Sequence, residues 1–259
     1  MTVSFLHIVS YSVWGDIVEK LRIYLRWSAC LIFVFLFGSL IYGAFAAPAP
    51  QVSLASAEAA PLVIIDAGHG GEDGGASDNG LLEKDVNLAI ALRLRDMLTV
   101  SGYKVKMIRE EDISVYDSSA STVREKKVSD MKNRVSTINS DANNILISIH
   151  QNKFEQSKYS GAQMFYSKND PRSEKLAESI RRSVTSLLQP ENSRELKNDN
   201  GSVYILKKAE VPAVIVECGF LSNENEARLL SDSKYQGKMA FAIMCGFLDF
   251  EKQQKTIAG

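Results

Sequence analysis

"VIIDAGHGGEDGG", residues 63–75, decides how this chain is read. A short apolar run rich in β-branched residues passes directly into a glycine-rich loop, and a histidine, His69, stands at the junction. Such a run, residues 62–66, reads as a buried strand. The loop feeds "LLEKDVNLAIALRLRDMLTVSG" (81–102), where Leu82, Val86, Ala89, Ile90, Leu94 and Met97 recur at three and four. That spacing predicts a helix, with Gly102 placed to end it.

The same grammar repeats downstream. "YKVKMIR" (103–109) and "GAQMFYS" (161–167) alternate like strands, while "NILISIH" (144–150) and "VPAVIVECGF" (211–220) are apolar enough for buried ones. Between and after them lie helical patterns at 129–140, 171–189 (with Pro171 in its first turn) and two more closing the chain. The segment 112–128, polar and aperiodic, reads as a loop. Strands alternating with helices predict a single α/β domain, with a mixed, mostly parallel sheet covered by helices on both faces. No internal repeat and no separate binding module is evident.

The first 60 residues are different material. Trp27 to Ala47 carries no charged side chain, and Lys20, Arg22 and Arg26 precede it. A positive flank and about twenty apolar residues are long enough to span a bilayer, and the flank predicts translocation of the domain beyond the apolar run. Small-residue sites at 44–46 and 55–57 fit a signal peptidase, so a cleaved signal and an uncleaved anchor both stand open. The expected organisation is a signal or anchor over 1–47, a linker over 48–60, a catalytic domain over 61–252 and a tail over 253–259. The product is exported: secreted, or held at the membrane by its N-terminal segment.

Composition narrows the function. A net charge of −1, with both signs interspersed, implies no nucleic-acid partner. Three cysteines, Cys30, Cys218 and Cys245, make no disulfide framework; a Cys218–Cys245 bridge has only the count behind it.

Three histidines exist in the chain, and His7 precedes the apolar segment. His69 and His150 each end a buried strand, and Glu217 holds the same kind of place on a third. In open α/β sheets that edge is where ligands bind. A glycine loop before a helix can also hold phosphate. Here the loop region carries Glu72, Asp73 and Asp78 without a lysine, and it matches neither phosphate-loop fingerprint. Two histidines with one carboxylate suit a hydrolytic zinc site that keeps a position open. Glu72, Asp73, Asp78, Glu83 and Asp85 all stand near enough in sequence to be the third ligand. Glu83 is favoured by its place on a rigid helix.

"IDAGHGGEDGG", "GLLEKDVNLAIA", "SIHQN" and "PAVIVECGFLSN" together resemble the four signature blocks of the zinc-dependent N-acetylmuramoyl-L-alanine amidases of type 3, in order and spacing, across residues 61–250. The resemblance implies that His69, Glu83 and His150 bind zinc and that Glu217 is the catalytic carboxylate. It also implies peptidoglycan as substrate, cut between N-acetylmuramic acid and L-alanine. Small size, the lone apolar segment and "LLEKDV" are similar to the germination-specific, spore-cortex members of the family. Asn152 and Arg194 are candidate substrate-positioning residues. Many relatives carry an extra helix that blocks the site; 112–128 reads as too short and polar for one, which predicts control by timing, location or an accessory protein. Another zinc peptidase or amidohydrolase of the wall is the rival reading. A non-catalytic wall-binding protein is disfavoured because no ligand is missing.

Overall fold

In the computed structural model the described residues are 61–258, together with ten positions between Leu21 and Leu36. The chain divides into two compact units, residues 1–57 and 58–259. In the first, the described positions are helical and exposed. Most of the expected export segment and all of the expected linker, 48–60, lie outside the described residues. Among the described residues, no helix is long and apolar enough to cross a membrane.

The second unit begins with β1 (Leu62–Ala67) and a hairpin of β2 (Ser77–Asp78) and β3 (Leu81–Leu82), which runs directly into α1 (Glu83–Val100). Then come β4 (Lys104–Met107), α2 (Val123–Ile138), β5 (Ile145–Asn152), β6 (Gln163–Tyr166) and α3 (Arg172–Leu187). The chain closes with β7 (Lys197–Asn198), α4 (Tyr204–Lys208), β8 (Ala213–Phe220), α5 (Glu224–Ser231) and α6 (Ser233–Ala258). Six strands form one sheet in the order β4-β1-β5-β8-β6-β7; β6 runs antiparallel to β8, and the other pairings are parallel. The expected α/β class and mixed sheet are therefore observed.

Alternation along the three central strands divides the molecule. Val63, Ile65, Ile147, Ile149, Val214 and Val216 point to one face, where they pack with residues of α1, α3 and α6 in the main core. Ile64, Leu146, Ala213 and Ile215 point to the other, under Ile138 of α2 and Ile205 and Leu206 of α4. By the same period of two, Asp66, Ser148, His150 and Glu217 belong to this second face.

Four details depart from the sequence reading. Residues 123–128 are the first turns of α2, not loop. Their apolar signal is absent because the turns are solvated, with Val123 79% exposed, while the helix start is fixed by a Thr122–Glu125 capping box. Glu217 does not end its strand, since β8 continues to Phe220 with a register shift opposite His150 and Asn152. Leu82 is exposed in β3; the buried stripe of α1 instead includes Ala91 and Leu98. Cys218 and Cys245 are both free thiols, so the bridge is absent. Gly102, in contrast, ends α1 as expected: it takes φ 88°, while Tyr103 N–H donates to Leu98 and Gly102 N–H to Thr99.

Candidate active site

β1, β5 and β8 are adjacent, and His150 lies level with Glu217 across the β5–β8 ladder. His69 stands two residues after β1 in a left-handed conformation, φ 62°. This conformation costs a non-glycine residue about 1–2 kcal/mol, so something must hold it. Arg134 Nη2 donates to the His69 carbonyl at 2.8 Å, and Asp73 Oδ2 lies 3.0 Å from His69 Nδ1. Arg109 reinforces the turn by donating to the carbonyls of Ala67 (2.8 Å), Gly68 (3.0 Å) and Lys84 (2.8 Å). Both arginines are buried. Arg134 is neutralised by Asp66, which also accepts from Ser148 at 2.7 Å, and by Asp130 at 2.6 Å.

Close approach dictates two glycines. A Cβ on Gly68 would meet the His150 ring at 2.2 Å, and one on Gly75, at φ 66°, would meet Glu83 Oε2 at 2.6 Å. Asn79 and Gly80, both at positive φ, form the two-residue turn of the β2–β3 hairpin. That hairpin delivers Glu83 to the first turn of α1, where Ala76 N–H donates to its Oε2 at 2.8 Å.

Glu83 is the carboxylate that the fold brings to both histidines. Its Oε2 lies 3.3 Å from His69 Nε2, and its Oε1 lies 2.9 Å from His150 Nδ1. Gln151 N–H donates to Oε1 at 3.2 Å, and Asn87, one helical turn on, stands 3.4 Å away. Burial alone would raise the Glu83 pKa; the two imidazoles outweigh it and hold the carboxyl well below its ordinary range. For His69, burial opposes the charged form, but Glu83 and then Asp73 raise its pKa.

Glu217 is the opposite case. The residue is half-buried, and its Oε2 is buried without a hydrogen-bond partner. Burial, opposed by His150 and supported by the charge of Glu83, pushes its pKa up to about 7. A cleft of ~220 Å³ joins it to His69 and His150, walled by Met131, Phe165, Val203, Ile205 and Ile215.

The other acidic candidates are placed elsewhere. Glu72 pairs with Lys126 at 2.8 Å, Asp78 lies 3.4 Å from Lys153, and Asp73 reaches the far nitrogen of His69. Among the described residues, His69, Glu83 and His150 are the one group whose donor atoms gather as a metal would require, all within 4.8 Å of one another. Two imidazoles, one carboxylate and a neighbouring buried carboxyl oxygen without a partner fit a zinc ion. Asn152 ends β5, its Oδ1 accepting from Lys153 N–H at 2.8 Å. Arg194 donates to Ser160 O at 2.7 Å and Gln163 Oε1 at 3.2 Å, with its guanidinium 4.6 Å from the Phe220 ring centroid. Neither belongs to the three-donor group.

Sequence reasoning passed over Asp66, Arg109, Arg134, Asn87 and Gln151. The two arginines reach backbone carbonyls up to 67 residues away, and no local pattern announces that. The Asn79-Gly80 hairpin was legible, since Asn-Gly is a strong turn signal.

The carboxyl edge of this α/β sheet thus gathers two histidines, the Glu83 carboxylate of α1 and the separate Glu217 carboxyl, the kind of donor set that metal-dependent hydrolases use. Residues 63–248 match the N-acetylmuramoyl-L-alanine amidase family, and the chain belongs to that family. Its enzymatic activity is the family's: hydrolysis of the N-acetylmuramoyl–L-alanine amide bond. It is 39% identical over 189 residues, 73% of this chain and 79% of the relative, to the germination-specific N-acetylmuramoyl-L-alanine amidase of Bacillus subtilis. The CwlD amidase of Clostridioides difficile, solved in complex with the GerS lipoprotein, superposes with a TM-score of 0.71 at 42% identity, covering 74% of this chain and 98% of that one. The amidase AmiC2 of Nostoc punctiforme gives 0.64 at 28% identity, covering 74% and 97%.

Proposed function

We propose that His69, Glu83 and His150 hold a zinc ion and that Glu217 carries the proton during hydrolysis of the muramoyl–L-alanine amide of peptidoglycan. The observation that carries this reading is the pairing of a three-donor group with a buried, unpartnered carboxyl on the next strand. Bound there, zinc would supply a Lewis acid for the scissile carbonyl and bring the pKa of water to about 7.

The rest is done by the chain's own groups. Glu217 takes a proton from the attacking water and hands it to the leaving alanine nitrogen. A carboxyl pushed up to about 7 can accept and donate near neutral pH within one turnover. The Asp73 carboxylate lies 3.0 Å from His69 Nδ1, and Glu83 is aimed by Ala76 and Gln151. The apolar wall of the cleft limits competing water.

The same reading extends to the whole chain. Residues 1–47 export or anchor the enzyme, 48–60 link it, 61–252 catalyse and 253–259 form a tail, so it acts outside the cytoplasm. Similarity to a germination-specific amidase supports a role in spore-cortex modification. A relative solved with a lipoprotein supports an accessory protein as regulator here. Asn152, at the end of β5, and Arg194, beside Phe220 of β8, would steady the substrate.

The test is Glu217→Gln in the full-length, zinc-loaded protein acting on peptidoglycan, with fragments read by mass spectrometry. Wild type releases peptides that begin with L-alanine. The variant keeps its zinc and loses a factor of about 10² to 10⁴ in rate. Zinc loss would make Glu217 a ligand, near-normal turnover would assign the proton to another group, and cleavage at other bonds would favour a peptidase.

A further inference from the structure

The cleft around His69, His150 and Glu217 is lined by two cations, Arg134 and Lys127. Arg134 is buried and committed to Asp66, Asp130 and the carbonyls of Ala67 and His69. Lys127 is not committed in this way. Its side chain is 68% exposed, and its Nζ is 3.9 Å from Asp73 Oδ2, at the outer limit of an ion pair. Of the acids of the cleft, Asp66 is held by Arg134 and Ser148 and Asp130 by Val115 N–H and Arg134, Asp73 stands between His69 and Lys127, and Glu217 has no partner for its Oε2. Lys127 is thus the exposed cation of the cleft, and the ion pair it makes there, with Asp73, is long enough for a substrate carboxylate to compete for its ammonium.

Its position is directional. Lys127 and Met131, one helical turn apart on α2, both line the cleft and both line an adjoining groove of ~170 Å³ with Glu72, Ser114 and Tyr116. Lys126, the other cation of that groove, is held by Glu72 at 2.8 and 3.1 Å. Lys127 thus stands where the catalytic cleft opens into a path for the remainder of a substrate. Separations of 3.9 Å to Asp73 and 3.0 Å from Asp73 to His69 keep its amine within about 10 Å of the His69 ring, the reach of about three extended residues.

The peptide that leaves in this reaction is acidic. After L-alanine comes a γ-linked glutamate whose α-carboxylate, when not amidated, is free and lies one residue from the bond being cut. We infer that Lys127 is a specificity-determining residue: its ammonium receives that carboxylate and directs the leaving peptide into the groove beside α2. The inference rests on the muramoyl–alanine amidase activity and adds its preference among stem peptides. Arg194, on the opposite side of β8, is a weaker rival because its donors are taken by Ser160 and Gln163.

The experiment compares two soluble substrates with the full-length, zinc-loaded protein: N-acetylmuramoyl-L-alanyl-D-glutamate with its γ-carboxyl capped as the methylamide and its α-carboxyl free, and the same compound with the α-carboxyl amidated. Wild type prefers the acid by about three- to tenfold in kcat/KM, mostly through KM. This is the scale of one charge-assisted hydrogen bond discounted for solvent exposure. The preference shrinks as salt is added. K127Q brings the ratio to about one and K127E reverses it, with zinc content and thermal unfolding matching wild type. K132Q makes the same charge change on α2, at a residue lining a different groove, and keeps the wild-type ratio. Equal cleavage by wild type, an unchanged ratio in K127Q, or an equal fall in K132Q would each overturn the inference. Cleavage of neither substrate by wild type would overturn the amidase activity and the inference together.

Discussion

The two faces of the central sheet are made by alternate residues of the same strands, yet they obey different rules. On one, Val63, Ile65, Ile147, Val214 and Val216 meet the aliphatic and aromatic residues of α1, α3 and α6. On the other, Asp66, Ser148, His150 and Glu217 alternate with those same residues under α2 and α4. The first face is held by burial of apolar surface. The second carries charge that burial penalises, so it depends on specific partners. The lesson is that stability and chemistry here are separated by one residue of register, not by distance along the chain.

Breaking the second face at its charge network should have the largest effect. Arg134→Met removes the partner of buried Asp66 and the clamp on the His69 carbonyl. A loss of about 3–5 kcal/mol is expected in urea unfolding, and zinc affinity falls with it, measured by competition with a chelator. On the first face, Ile147→Ala leaves a void among fully buried side chains. It should cost about 2–5 kcal/mol while zinc affinity of the folded protein stays at the wild-type value. If Ile147→Ala weakens zinc as much as Arg134→Met does, the two faces are not separable.

A pH series sharpens the contrast. The Glu217 carboxyl rises from an ordinary 4.5 to about 7 in the folded chain. Between those values the folded protein keeps a proton that the unfolded chain has released. The stability contributed by this group is therefore full below pH 4.5 and is lost as pH rises through 7, by up to about 3 kcal/mol. In metal-free protein, the wild type should lose this increment relative to Glu217→Gln between pH 4.5 and 7. Parallel curves for the two would show that Glu217 is not the buried acid described.

The smallest effect belongs to the rim. Thr122 caps α2 through Glu125 N–H. Thr122→Ala should lower stability by about 1 kcal/mol and raise amide exchange in residues 123–127, including Lys127, without reaching the core.

How much was legible depends on the range of the interactions. The strands and most helices were readable because periods of 2 and 3.6 are local. The start of α2 escaped because its first turns face water, leaving a capping box as the one cue. The histidines and Glu217 were readable as strand-borne polar residues in apolar runs. Five carboxylates competed for the third ligand position; the place of Glu83 on a helix favoured it, but its reach to both histidines depends on residues distant in sequence.

The sequence by itself determined the α/β class, the two histidines, Glu217 and the family to which the chain belongs, since each rests on residue type and spacing within short segments. Only the tertiary structure decided that β1, β5 and β8 are neighbours, that the Asn79-Gly80 hairpin aims Glu83 rather than Asp73 between both histidines, and that Arg109 and Arg134 hold the loop in its left-handed turn. These depend on contacts between residues 14 to 82 positions apart. Such contacts take their strength from burial, which exists only once the chain has closed around them.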